Sequence, residues 1–182
     1  KAYADNPDVI GVIGPYNSFC AVGQIPIAGR APEGPLAMVT SSASLTSLTQ
    51  PDPLAPRGFT ARLYPTGRRN FARVYGTDAM QGAANAVLAR SLGARRVLVL
   101  HDGDVVFGLS RAFFFRRAAR RLGLEVVGFR AWDPEAKEYG DLGDAAPASG
   151  GVGGLCGLLR AVGAAFGDAA GWTPYAADFT RY

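Results

Sequence analysis

Short apolar blocks separated by polar or glycine-rich stretches run through the first 130 residues, and each block reads as one element. Residues 8–14, Asp8-Val9-Ile10-Gly11-Val12-Ile13-Gly14, are β-branched and closed by glycine, which predicts a buried parallel strand. Pro15-Tyr16-Asn17-Ser18 reads as a loop, with Ser18 as cap of a helix over 19–28 that contains Pro26. Gly34-Pro35 opens a second strand over 36–40, giving a strand–helix–strand unit. The hydroxyl-rich segment 41–49 begins where that strand ends. Residues 50–69 carry four prolines and read as a long loop, and 70–75 as a short strand or connector.

The second half repeats the pattern. Thr77-Asp78 reads as a helix start, with Met80, Ala83, Ala84, Val87, Leu88 and Leu92 at helical spacing and Gly93 as the stop. Residues 95–101 are the clearest strand, Asp102-Gly103-Asp104 a turn, 109–122 a helix ended by Gly123, and 124–129 another strand. Beyond Trp132 the signal weakens, with a glycine-interrupted helix over 155–166. Alternation of strand and helix predicts an α/β fold with a mainly parallel sheet, whose ligands lie beyond the carboxyl ends of the strands.

Composition narrows the class. Of 182 residues 48% are hydrophobic and 19% charged, which argues against intrinsic disorder. No apolar run reaches the roughly 18 residues of a membrane span. The net charge of +4 rests on arginine, since Lys1 and Lys137 are the only lysines. Lys1-Ala2-Tyr3-Ala4-Asp5 has no initiator methionine and no leader-like pattern, and reads as the tail of a helix already under way. Cys20 and Cys156 make no disulfide framework and are expected as unpaired, largely buried thiols.

Several clusters carry candidate chemistry. Gly11-Val12-Ile13-Gly14 lacks the spacing of a nucleotide-phosphate loop. Asn17 and Ser18 sit at a strand end and a helix start, where backbone N–H groups and a hydroxyl suit a carboxylate, or simply cap the helix. Ser42-Ala43-Ser44 lies at the end of the neighbouring strand, about 5 Å away, and offers carbonyls and hydroxyls to an ammonium group, or forms a solvated turn. Together the two clusters suit a zwitterion. His101 and Asp102 close the clearest strand, but there is no GxSxG nucleophile elbow and no third carboxylate for a metal. Arg111, Arg116, Arg117, Arg120 and Arg121 line one helix, which reads as a solvated face and not as a nucleic-acid motif.

The order of these segments resembles the branched-chain amino acid-binding proteins of ABC transporters, which are type I periplasmic solute-binding proteins with a leucine-binding domain. The resemblance rests on 8–15, Asn17-Ser18 and 35–41, then on Tyr64-Pro65-Thr66-Gly67-Arg68-Arg69-Asn70, Asp78 with Gln81-Gly82, and 97–104, and spans about residues 1–140. It implies two Rossmann-like lobes joined by a hinge and closing on a ligand. Both are incomplete here, with 1–73 part of the first lobe and 74–182 part of the second. It also implies that Asn17 and Ser18 hold a ligand carboxylate, and that Ser42, Ala43 and Ser44 hold its amino group. Phe107 stands near a family tyrosine contact and, lacking the hydroxyl, offers a stacking or apolar contact.

The implied function is capture of an amino acid or related small polar ligand for uptake, without catalysis, cofactor, metal or nucleic acid. A membrane permease is the implied partner. The implied location is periplasmic or extracellular and membrane-associated, with a signal peptide in the full-length protein. Two competing readings are a sensory or receptor domain of the same fold and an α/β enzyme using His101 and Asp102.

Overall fold

The computed structural model describes residues 2–103 and 108–133. The chain divides into two compact units, residues 1–78 and 79–182.

In the first unit three parallel strands lie in the order β1 (Gly11–Ile13), β2 (Ala37–Thr40) and β3 (Phe71–Arg73). Gly11 pairs with Ala37, and Met38 with Phe71. Helix α1 (Ser18–Ala28) connects β1 to β2. It buries Ala21, Ile25 and Ala28, spaced four and three residues apart and so on one face. That face packs with Met38, Leu48, Leu63, Tyr64 and Phe71 into one core. Asn70 ties the base of the unit: its amide donates to Leu36 O at 3.1 Å, and its backbone carbonyl accepts from Met38 N at 2.7 Å.

The structure departs from three readings of this half. Residues 2–5 form turns, not the tail of a helix. The segment 50–69 is not one loop: it holds a short helix α2 (Phe59–Leu63), anchored by buried Leu63 and Tyr64 and by Thr60 Oγ1 donating to Ser47 O at 2.7 Å. Five residues are too few to show a helical period. β1 is exposed where burial is expected, with Ile13 at 96% and Ile10, just before the strand, at 92%. Side chains alternate across a strand, so Val12 packs on the core, whereas Ile13 and Val39 stand on the face opposite α1. Among the described residues, β2 is the only strand paired with β1.

In the second unit α3 (Asp78–Ser91) leads to β4 (Arg96–His101), then α4 (Gly108–Arg121) and β5 (Glu125–Ala131). β4 and β5 pair in parallel, with a bulge after Val97 that sets Leu98 against Gly128. Gly93 and Gly123 end the two helices at φ +84° and +75°, conformations that glycine adopts without a side-chain penalty. The core is Ala86, Ala89, Val97, Ala119 and Leu124.

The face of α3 differs from the expected one. Met80, Val87, Leu88 and Leu92 are exposed, and Gly82, Ala86 and Ala89 are buried. Close approach of α4 selects the small residues: a Cβ on Gly82 would lie 2.6 Å from Arg111 O and 2.7 Å from Phe115 N. On α4, Arg117, Arg120 and Arg121 are exposed, as a solvated face requires, and Arg116 lies over the Phe129 ring at 3.9 Å. No helix among the described residues is long and apolar enough to cross a membrane.

Candidate functional site

The carboxyl ends of β1 and β2 lie side by side, and the loops leaving them are bonded together. Gly14, at φ +131°, donates its N–H to Val39 O at 2.7 Å, which carries the strand pairing into the loop. Three bonds then join residues 15–18 to residues 40–45. Thr40 Oγ1 donates to Pro15 O at 2.5 Å, Ser42 Oγ donates to Tyr16 O at 2.7 Å, and Leu45 N donates to Ser18 Oγ at 3.1 Å. Thr40 Oγ1 also accepts from Ser42 N at 3.3 Å and Ala43 N at 3.1 Å, so a fully buried hydroxyl folds the second loop.

The cap of α1 is Asn17 and not Ser18. Asn17 Oδ1 accepts from Phe19 N at 2.7 Å. Ser18 is the first helical residue, buried against the second loop. Its oxygen accepts from Leu45 N, and its hydroxyl hydrogen has no acceptor among the described residues. The Asn17 amide nitrogen likewise has no acceptor there. Both donors stand at the start of an eleven-residue helix, where the peptide dipoles favour negative charge.

The acceptors lie on the second loop. Of the four carbonyls from Ser42 to Leu45, that of Ser42 alone has no donor among the described residues. Ala43 O accepts from Arg73 Nη1 at 3.0 Å, Ser44 O from Asp78 N at 2.8 Å, and Leu45 O from Arg73 at 3.2 Å. Ala43 is fully buried with both backbone groups engaged, so it shapes the turn from beneath. Ser44 is also buried. Asn17, Ser18 and Ser42 thus carry polar groups uncommitted among the described residues, whereas Ala43 has both backbone groups engaged and Ser44 is buried with its carbonyl engaged. Phe107 lies outside the described residues.

Arg73, bonded to the carbonyls of the second loop, is a residue that sequence reasoning missed, and Tyr64 packs in the core near it. Burial pushes the Arg73 guanidinium below its usual range, against the charges of Asp78 and Tyr64, which favour the cation. Burial pushes the Tyr64 phenol up, partly offset by Arg69 and Arg73, and its hydroxyl donates to Leu48 O at 2.6 Å. A charged residue at the end of a short strand, Phe71-Ala72-Arg73, is the one signal that sequence offered for Arg73.

In the second unit His101 is the last residue of β4. Its Nδ1 accepts from Gly103 N at 3.0 Å, and its ring packs on Phe129 with centroids 4.6 Å apart. Burial holds its pKa below the ordinary 6.5, opposed by the charge of Asp102 and aided to a lesser extent by Arg116. The Asp102 carboxylate lies against Gly108 at the start of α4. No group of three His, Cys, Asp or Glu residues able to hold a metal exists among the described residues. Cys20 is an exposed free thiol, not a buried one, because it lies on the face of α1 away from Ala21 and Ile25. Cys156 lies outside the described residues.

Neither a family model nor a curated protein sequence matches the chain. Solved structures do. An ABC transporter substrate-binding protein from Desulfitobacterium hafniense, in complex with Leu, is 23% identical with a TM-score of 0.56, over 79% of this chain and 35% of that one. The leucine-binding protein LivK of Thermotoga maritima is 27% identical with a TM-score of 0.55, over 78% and 35%. A solute-binding protein of an ABC transporter from R. palustris, in complex with 4-hydroxybenzoate, is 17% identical with a TM-score of 0.53, over 74% and 32%. The chain spans about a third of the length of these neighbours. Its α/β fold with parallel strands is that of type I periplasmic binding proteins, and the resemblance read from the sequence extends to the structure.

Proposed function

We propose that this chain is part of an extracytoplasmic substrate-binding protein of an ABC transporter that captures an amino acid or a related small carboxylate for delivery to a membrane permease. One observation carries the reading: the two strand-end loops are bonded into a single surface with uncommitted donors at Asn17 and Ser18 and an uncommitted acceptor at Ser42 O. A ligand carboxylate is received by the Ser18 hydroxyl, the Asn17 amide and the start of α1. Its ammonium is received by Ser42 O. Ala43 and Ser44 act through the shape of the turn. The work is binding, with no bond made or broken.

The two units are portions of the two lobes of such a protein. Leucine and 4-hydroxybenzoate, held by two of the neighbours, share a carboxylate and differ in the amine. The donor side therefore suits either ligand, and Ser42 O favours the amino acid. Delivery to a permease places the protein outside the cytoplasm at the membrane surface. Titration calorimetry of the full-length protein against the standard L-amino acids and 4-hydroxybenzoate tests the reading. Saturable binding of at least one amino acid is expected, and no heat with any of these carboxylates overturns it.

A further inference from the structure

The guanidinium of Arg73 spans the whole second loop from below. Nη1 donates to Ala43 O at 3.0 Å and Leu45 O at 3.2 Å, and Nη2 donates to Leu45 O at 3.2 Å and Thr49 Oγ1 at 2.9 Å. These partners lie 24 to 30 residues away in sequence. Two of the three are backbone carbonyls of the turn, and the neighbouring Ser44 O is held by Asp78 N. The planar fork reaches these acceptors simultaneously, a geometry that a lysine ammonium does not reproduce. Asp78 is fully buried and its charge favours the guanidinium, which keeps a cation in place despite its burial. None of these bonds is made by Asn17 or Ser18 themselves, although Leu45, held at its carbonyl by Arg73, donates its N–H to Ser18 Oγ at 3.1 Å.

From this arrangement we infer that Arg73 is a positioning residue for amine recognition. By engaging Ala43 O and Leu45 O, it directs their acceptor capacity inward and leaves Ser42 O as the acceptor presented to a ligand. Carboxylate recognition is centred on α1, and the one bond of Leu45 that reaches it runs from its N–H to Ser18 Oγ, not from the carbonyl that Arg73 holds. Arg73 therefore sets selectivity between an amino acid and the carboxylic acid of the same skeleton without touching either. The inference rests on the ligand reading proposed above.

The test measures two affinities in the full-length protein: the tightest-binding L-amino acid, and its des-amino carboxylic acid. Both are measured for the natural protein, Arg73→Lys and Arg73→Gln, with thermal unfolding to identify folded variants. Hydrogen bonds to a charged group are each worth enough to change an equilibrium about tenfold. Arg73→Lys, which keeps the charge, is expected to weaken the amino acid by about tenfold or more and the des-amino acid by less than about threefold. Equal losses for both ligands in a folded variant overturn the inference and leave a merely structural role. Unchanged binding of both overturns it as well. Failure of the natural protein to bind any amino acid refutes the ligand reading itself, and the inference with it.

Discussion

The hydroxyl of Thr40 donates to the carbonyl of Pro15, joining two loops that are 25 residues apart in sequence. The same oxygen accepts from Ser42 N and Ala43 N, so one buried group fixes the turn and docks it. Replacing it with the isosteric Thr40→Val removes the donor for Pro15 O and the acceptor for two N–H groups. At about 1 kcal/mol for each bond, the loss is about 3 kcal/mol. Denaturant unfolding measures it, and a loss below about 0.5 kcal/mol contradicts the role given to Thr40.

Two glycines in helices are expected to respond in opposite directions. Gly82→Ala places a Cβ against the backbone of Arg111 and Phe115, which cannot move away without parting α3 from α4. Overpacking of this kind costs about 1–3 kcal/mol. Gly23, inside α1, has nothing within 4 Å of a Cβ. Gly23→Ala therefore gains about 0.5–1 kcal/mol from helix propensity. Thermal unfolding of both variants checks the signs, and a stabilising Gly82→Ala denies the close approach of the two helices.

His101 is expected to make the second unit sensitive to acid. Its folded pKa is depressed, chiefly by burial, so the unfolded chain takes up the proton more readily. The stability it contributes is fully present above the ordinary value of 6.5 and is lost as the pH falls through the depressed folded value. Protonation also removes the acceptor that Nδ1 offers to Gly103 N. Urea unfolding at about pH 7.5 and about pH 5 is expected to show a drop in the natural protein that His101→Asn reduces. An identical drop in both would assign the acid sensitivity to other groups.

The strand and helix order was legible where local patterns suffice. β4, α4 and β5 follow from runs of Val, Leu and Phe bounded by glycine, and the pairing of Asn17-Ser18 with the 42–44 turn follows from parallel neighbouring strands. What was not legible depends on partners distant in sequence. The buried face of α3 is glycine and alanine because α4 comes close, and hydrophobicity alone points to Val87 and Leu88 instead. Asn17 takes the cap because Ser18 is bound to Leu45, 27 residues on. The same holds for Arg73, whose partners no local window contains.

The proposed function turns on a ligand carboxylate received by the Ser18 hydroxyl, and calorimetric titration of the full-length protein and its Ser18→Ala variant tests that proposal most directly. The ligand is the tightest-binding L-amino acid, and its α-amide serves as the control without a carboxylate. Loss of a hydrogen bond to a charged group predicts that Ser18→Ala, still folded by its thermal transition, binds the amino acid about tenfold more weakly and discriminates less against the amide. Equal affinity for the amino acid in the natural and Ser18→Ala proteins would contradict the placement of the ligand at the start of α1.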